Sequence, residues 1–139
     1  MQRKGFRYWL SHGDEIMTAS EMTTTYKILT HDFCSPLRGG GPIWDGNTFP
    51  FSLPRARVDT SEVECGEGWN SCVSLASAFG IAGLWPTGRP SVALVVRPGG
   101  SVVTRGAKTR SSILTIERAV TEDEITDALL EIAALFVGH

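Results

Sequence analysis

The most regular alternation of apolar and polar positions lies at the C-terminal end. Ile125, Leu129, Ile132 and Phe136 recur at steps of four, three and four residues, which places them on one face of a helix running to about Phe136. Thr121 and Glu124 stand three apart in front of this face, the spacing of a capping box, and the early acids suit the positive end of the helix dipole. A shorter version of the same period is carried by Leu75, Ala78, Phe79 and Ala82. Ser74 is placed to cap that helix, Gly83 to end it, and Pro86 and Pro90 to prevent its continuation. Residues 24–30 (TTYKILT), 55–58, 91–97 (SVALVVR), 101–105 and 112–118 read instead as strands. The continuous apolar run in 91–97 predicts a central strand, and Pro98-Gly99-Gly100 a turn that returns 101–105 antiparallel to it. Strands therefore come in runs and helices are few. The fold class expected is α+β: a mostly antiparallel sheet with one short middle helix and one C-terminal amphipathic helix.

Between the first strand and the second lies a long stretch, residues 31–54, punctuated by Ser35-Pro36, Gly39-Gly40-Gly41, Asp45-Gly46, Pro50 and Pro54. A stretch of this length is expected to be functional and to hide short strands. Asp45-Gly46 between Trp44 and Phe49 has the chemistry of a hairpin turn.

Length and charge narrow the function classes. A chain of 139 residues amounts to one domain. Residues 1–21 read as an N-terminal extension, with Met22 as the natural beginning and residues 22–139 as a single α+β domain. The other reading of that extension is a basic, aromatic arm (Arg3, Lys4, Phe6, Arg7, Tyr8, Trp9) that packs on the domain or on a second subunit. It lacks the apolar run and cleavage site of a secretory signal. A net charge of -2 argues against a coat for nucleic acid or for an anionic membrane. No apolar run approaches the roughly 18 residues of a membrane span. Three cysteines, Cys34, Cys65 and Cys72, are an odd number, which points to free thiols and a cytoplasmic location.

Candidate chemistry collects in the loops. Cys34, separated from His31 by two residues, is the one thiol with a nearby base and so the candidate nucleophile. His31, Cys34, Cys65 and Cys72 are soft-ligand types, yet Cys65 and Cys72 lie too far apart for the usual zinc pairs, and no metal is assigned. The Gly39–Gly41 triplet lacks the following Lys-Ser/Thr of a phosphate loop and reads as a turn. No cofactor-binding signature is found. Glu64 and Glu67 are the candidate catalytic acids, with Asp45 and the arginines Arg38, Arg55, Arg57 and Arg110 as companions for a ribosyl or pyrophosphate group. The alternative for each is a solvated surface charge. Trp44, Trp69 and Trp85 stand in glycine- or proline-rich loops, where a tryptophan is either a core plug or a pocket wall.

Tyr26-Lys27, the segment Cys65-Gly66-Glu67-Gly68-Trp69-Asn70-Ser71-Cys72, the short alanine-bearing helix and the strand VALVV together have a familiar order. Over about residues 26–130 the chain resembles an uncharacterised family of short bacterial and phage domains sometimes found beside pentapeptide repeats. Asn70 stands where that family usually has histidine. A looser likeness is to ADP-ribosyltransferase-like folds, carried by Gly68 to Cys72, the helix after Ser74 and the strand 91–97.

The function expected first is an accessory or ligand- or protein-binding module. Its binding face would be built from residues 31–51 and 65–72 and would use Arg38, Trp44, Asp45, Trp69, Asn70, Cys72 and Arg110. The alternatives are an enzyme acting on a nucleotide-type substrate, which the second resemblance implies, and a self-associating module that forms a homodimer through an exposed sheet edge.

Overall fold

The computed structural model describes residues 14–17, 24–36, 40–58, 68–83, 85 and 88–137. Among these residues six strands form one antiparallel sheet: β1 (Asp14–Met17), β2 (Thr25–Leu29), β3 (Phe51–Ser52), β4 (Trp69–Cys72), β5 (Val92–Arg105) and β6 (Lys108–Ala119). Two helices accompany it, α1 (Leu75–Ala82) and α2 (Glu122–Val137). The architecture is α+β, as the sequence pattern implies. No helix among the described residues is long and apolar enough to cross a membrane.

The frame is the β5–β6 hairpin, whose strands are rich in Val, Ile and Thr and are joined by Gly106-Ala107. Along one edge β5 carries β2 at Val92–Val96 and β1 at Val102–Arg105. The far edge of β6 carries β4 at Lys108–Ser111 and β3 at Thr115–Ile116. A bridge from Tyr26 to Cys72 joins β2 to β4 and so closes β5, β2, β4 and β6 into a ring. Residues 14–17, inside the segment read as an extension, are thus the strand that pairs with the tip of the hairpin.

Pro98-Gly99-Gly100 is not a turn. β5 runs through it, pairing Gly99 with Ile113 and then Val102 with Ser111, so the segment is a bulge. Pro98 falls between the stretches of β5 that pair with β2 and with β1, an edge position where a missing N–H is tolerated. Gly100 has φ +70°, and a Cβ there would collide with the Ser112 hydroxyl, which accepts a hydrogen bond from the Ser101 amide at 2.9 Å. Opposite this bulge the buried positions of β6 change parity, from Thr109 and Ser111 to Ser112, Leu114 and Ile116. The strand coils, and each end buries a different set.

Residues 55–58 are not a strand either. Pro54 removes a donor, and the chain only follows β6 through Leu53 N to Leu114 O and Ala56 N to Ser112 O. Asp45-Gly46 makes no hairpin. The Asp45 carboxylate accepts from the Thr48 hydroxyl and from the amides of Asn47 (2.8 Å) and Thr48 (2.9 Å), closing a local turn in which these bonds, the hydroxyl's first, hold its pKa below the usual carboxylate value.

Two apolar clusters lie on either side of β2. The first contains Leu29, Leu94, Val96, Leu114 and Ile116, all fully buried, with Trp44 and Leu53 of the long connection packed on them. The second contains Ile28, Cys72, Leu75, Ala78, Phe79 and Ala128. Around the ring, Thr25, Ser71, Thr104, Thr109 and Ser111 are also buried, and two pairs among them hydrogen-bond: Thr25 to Ser71 at 2.8 Å and Thr104 with Thr109 at 3.1 Å.

Both helices are capped as their sequences imply. Ser74 accepts from the Ser77 amide at 3.1 Å, and Gly83, at φ +78°, donates to Phe79 O. In α2 the Glu124 amide donates to Thr121 Oγ1 (3.1 Å) and the Thr121 amide to Glu124 Oε1 (2.9 Å). The buried face of α2 differs from the one expected. It is Ile125, Ala128 and Ile132, while Leu129 and Phe136 are exposed. The stripe that packs runs Ile125, Ala128, Ile132, so Leu129 lies beside it, and Phe136 falls in the last turn of a helix of about 24 Å that packs on α1, of about 12 Å.

Candidate functional site

β2 and β4 lie beside α1, and the first part of the long connection folds over them. Residues from all four regions line a pocket of about 410 Å³, within the range of small-molecule sites. Its walls are mainly apolar: Ile28 and Tyr26 from β2, Cys72 from β4, Ala78, Ile81 and Ala82 from α1, Pro36 and Ile43 from the connection, and Ala56 from the segment after β3. The pocket exists because α1 presents alanines to the strands at 78 and 82, where larger side chains would fill the gap.

The polar groups come from β4 and its neighbours. Asn70 is the hub. Its carbonyl accepts from Lys27 Nζ at 2.6 Å, its Oδ1 accepts from Arg110 Nε at 3.3 Å, and its Nδ2 donates to Gly68 O at 3.4 Å. Trp69 forms a wall and is fixed by Nε1 donating to Pro54 O at 2.7 Å. Gly68, at φ +116°, lets the chain pass close to Arg110, whose Cγ would lie 2.9 Å from an added Cβ. Lys27, Arg57 and Lys108 also line the space, and none of the described lining residues is a carboxylate or a histidine.

Cys72 is buried against the pocket, and burial raises its pKa, with the Lys27 ammonium opposing only in part. At neutral pH it is a thiol, a weak nucleophile. Cys34 lies outside the lining. It bridges to Pro42, and its Sγ approaches Asp32 O at 3.8 Å. Among the described residues no three His, Cys, Asp or Glu side chains come together as a metal site.

Of the residues picked out from sequence, Arg57, Trp69, Asn70 and Cys72 meet in the pocket wall, with Arg110 behind Asn70. Trp44 does not reach the pocket. It is a core plug, edge-on to Phe33 at 5.2 Å and tilted on Phe49 at 5.1 Å, with Nε1 donating to Thr48 O. Asp45 is spent on its own turn. Arg38, Glu64, Cys65 and Glu67 lie outside the described residues. Sequence reasoning missed the contribution of β2 and α1. A lysine inside an otherwise apolar strand, TYKIL, was the available signal for Lys27.

No protein-family model, curated protein or solved structure matches this chain.

Proposed function

We propose that the chain is a binding module for a small, mainly apolar molecule with an acidic end, held in the pocket beneath α1. The observation that carries this reading is the composition of the lining: apolar walls from β2, β4 and α1 around a space of about 410 Å³, with Lys27, Arg57 and Lys108 as its charged side chains. Apolar walls supply the driving force and the cations orient the ligand. Binding is favoured over catalysis because Cys72, the one thiol in the described wall, stays protonated and has no histidine or carboxylate beside it there. Free Cys34 and Cys72 fit a reducing compartment and so the cytoplasm.

The test compares ligands of one shape and opposite charge. 4-Phenylbutyrate should raise Tm, and 4-phenylbutylamine should not. A ligand at about 100 times its Kd adds ~2.7 kcal/mol, a shift of several degrees. Ala82→Phe, which fills the pocket from α1, should abolish the shift while the protein stays folded by circular dichroism. Equal shifts from amine and acid would defeat the charge assignment. Stabilisation or turnover of NAD with no response to either compound would return the nucleotide enzyme to first place.

A further inference from the structure

From Ile132 to Val137 the end of α2 is apolar around its whole circumference. Between Leu129 and Val137 the sequence LLEIAALFV holds one charge, Glu131. A helix of that composition is normally buried on every side. Here Ile132 alone in this stretch packs toward the second cluster, while Leu129 is 40%, Leu130 64%, Leu135 64% and Phe136 79% exposed. Ile81, on the helix that supports α2, and Trp85, just beyond it, are exposed as well.

The charges on the same helix say what would cover it. Glu122, Asp123, Glu124, Asp127 and Glu131 are its ionisable residues, and it contains no Lys, Arg or His. Arg118 answers Glu124 through a 2.7 Å ion pair, and the remaining four acids border the apolar stretch or precede it. A second copy laid on this helix would bring an equally acidic face against it, which is repulsive. Leu129, Ala133 and Phe136 follow at steps of four and three, the spacing at which one helix receives the side chains of another.

We propose that the outer face of α2 is a docking surface for a basic amphipathic helix of a partner protein. Leu, Ile or Phe side chains of the partner would pack on Leu129, Leu130, Ala133 and Phe136, and its flanking Lys or Arg would meet Asp127 and Glu131. This surface is separate from the pocket, and neither Phe136 nor Leu130 lines that site.

The probe is a fluorescein-labelled, 18-residue amphipathic Leu/Lys peptide, with a Leu/Glu peptide of the same apolar pattern as control, titrated into the full chain by anisotropy. The Leu/Lys peptide should bind, weaken with salt, and gain helicity. Leu130→Asp and Phe136→Asp should each weaken it at least tenfold, and Asp127→Lys/Glu131→Lys comparably. All are exposed positions, and melting curves confirm folding. The proposal is overturned if neither peptide binds, if both bind equally, or if the α2 variants leave binding unchanged. It is equally overturned if light scattering shows a dimer that Phe136→Asp dissolves, since a second copy then covers the face. Binding to neutral phosphatidylcholine vesicles that Phe136→Asp abolishes would overturn it in favour of a lipid surface.

Discussion

Ile28 and Leu29 are neighbours on one strand and belong to different interiors. Leu29 enters a cluster in which Leu94, Val96, Leu114 and Ile116 have no exposed surface, and the long connection seals it with Trp44 and Leu53. Ile28 enters a cluster built with alanines and a cysteine, next to a space of about 410 Å³. The difference is one of side-chain size. Branched residues from β2 and from the two long strands β5 and β6 fill the first volume. The second is bounded by a helix whose inward positions include Ala78 and Ala82, and it stays open. A sealed cluster and an open space thereby lie on opposite sides of the same strand.

The largest expected effect tests that contrast directly. Leu29→Ala should cost about 3–5 kcal/mol in urea unfolding, because the sealed cluster has no room to relax. Ile28→Ala should cost nearer 2 kcal/mol, since its loss enlarges an existing space rather than opening a new one. Equal penalties would dissolve the distinction between the two interiors. Next comes the cap of the helix that rides on the second cluster: Thr121→Ala should cost about 1 kcal/mol by thermal melting.

A smaller effect concerns acid. Hydrogen bonds from Arg118 and then from the Thr121 amide lower the Glu124 pKa from 4.5 to about 2. A carboxyl depressed on folding lends stability above its unfolded pKa and loses it as pH falls through the folded one. Glu124→Gln should therefore flatten part of the stability decline between pH 4.5 and about 2 and leave its slope near neutrality unchanged. An identical acid profile in the variant would show that the ion pair is not formed in solution. The smallest effect is Ser111→Ala. Its hydroxyl is buried with no partner among the described residues, so removal should be neutral or stabilising by up to about 1 kcal/mol. A clear loss would reveal an internal water on that oxygen.

Helix limits, both N-caps and the α+β class were legible because each depends on residues a few positions apart. Ser74 with Ser77 and Thr121 with Glu124 carry their whole meaning locally. Pro98-Gly99-Gly100 was misread because the same chemistry serves a turn and a bulge. What decides is the zipping of β5 onto β6 on both sides of it. The buried face of α2 was shifted for a related reason: periodicity puts Ala128 and Leu129 on adjoining strips and does not say which of them meets the supporting helix. Trp69, Asn70 and Cys72 were found in the wall because they interrupt a glycine-rich segment with chemistry. The pocket itself was not legible, since an empty volume is made by small residues that read only as good helix formers.

The two-residue link at Gly106-Ala107 has a consequence for the order of assembly. β5 and β6 need no distant encounter to pair, whereas Asp14 meets Arg105 across most of the chain. Closing the longer loops costs more entropy and is slower. The hairpin is thus the template that forms early, and the N-terminal strands are late arrivals whose docking completes a sheet already half built.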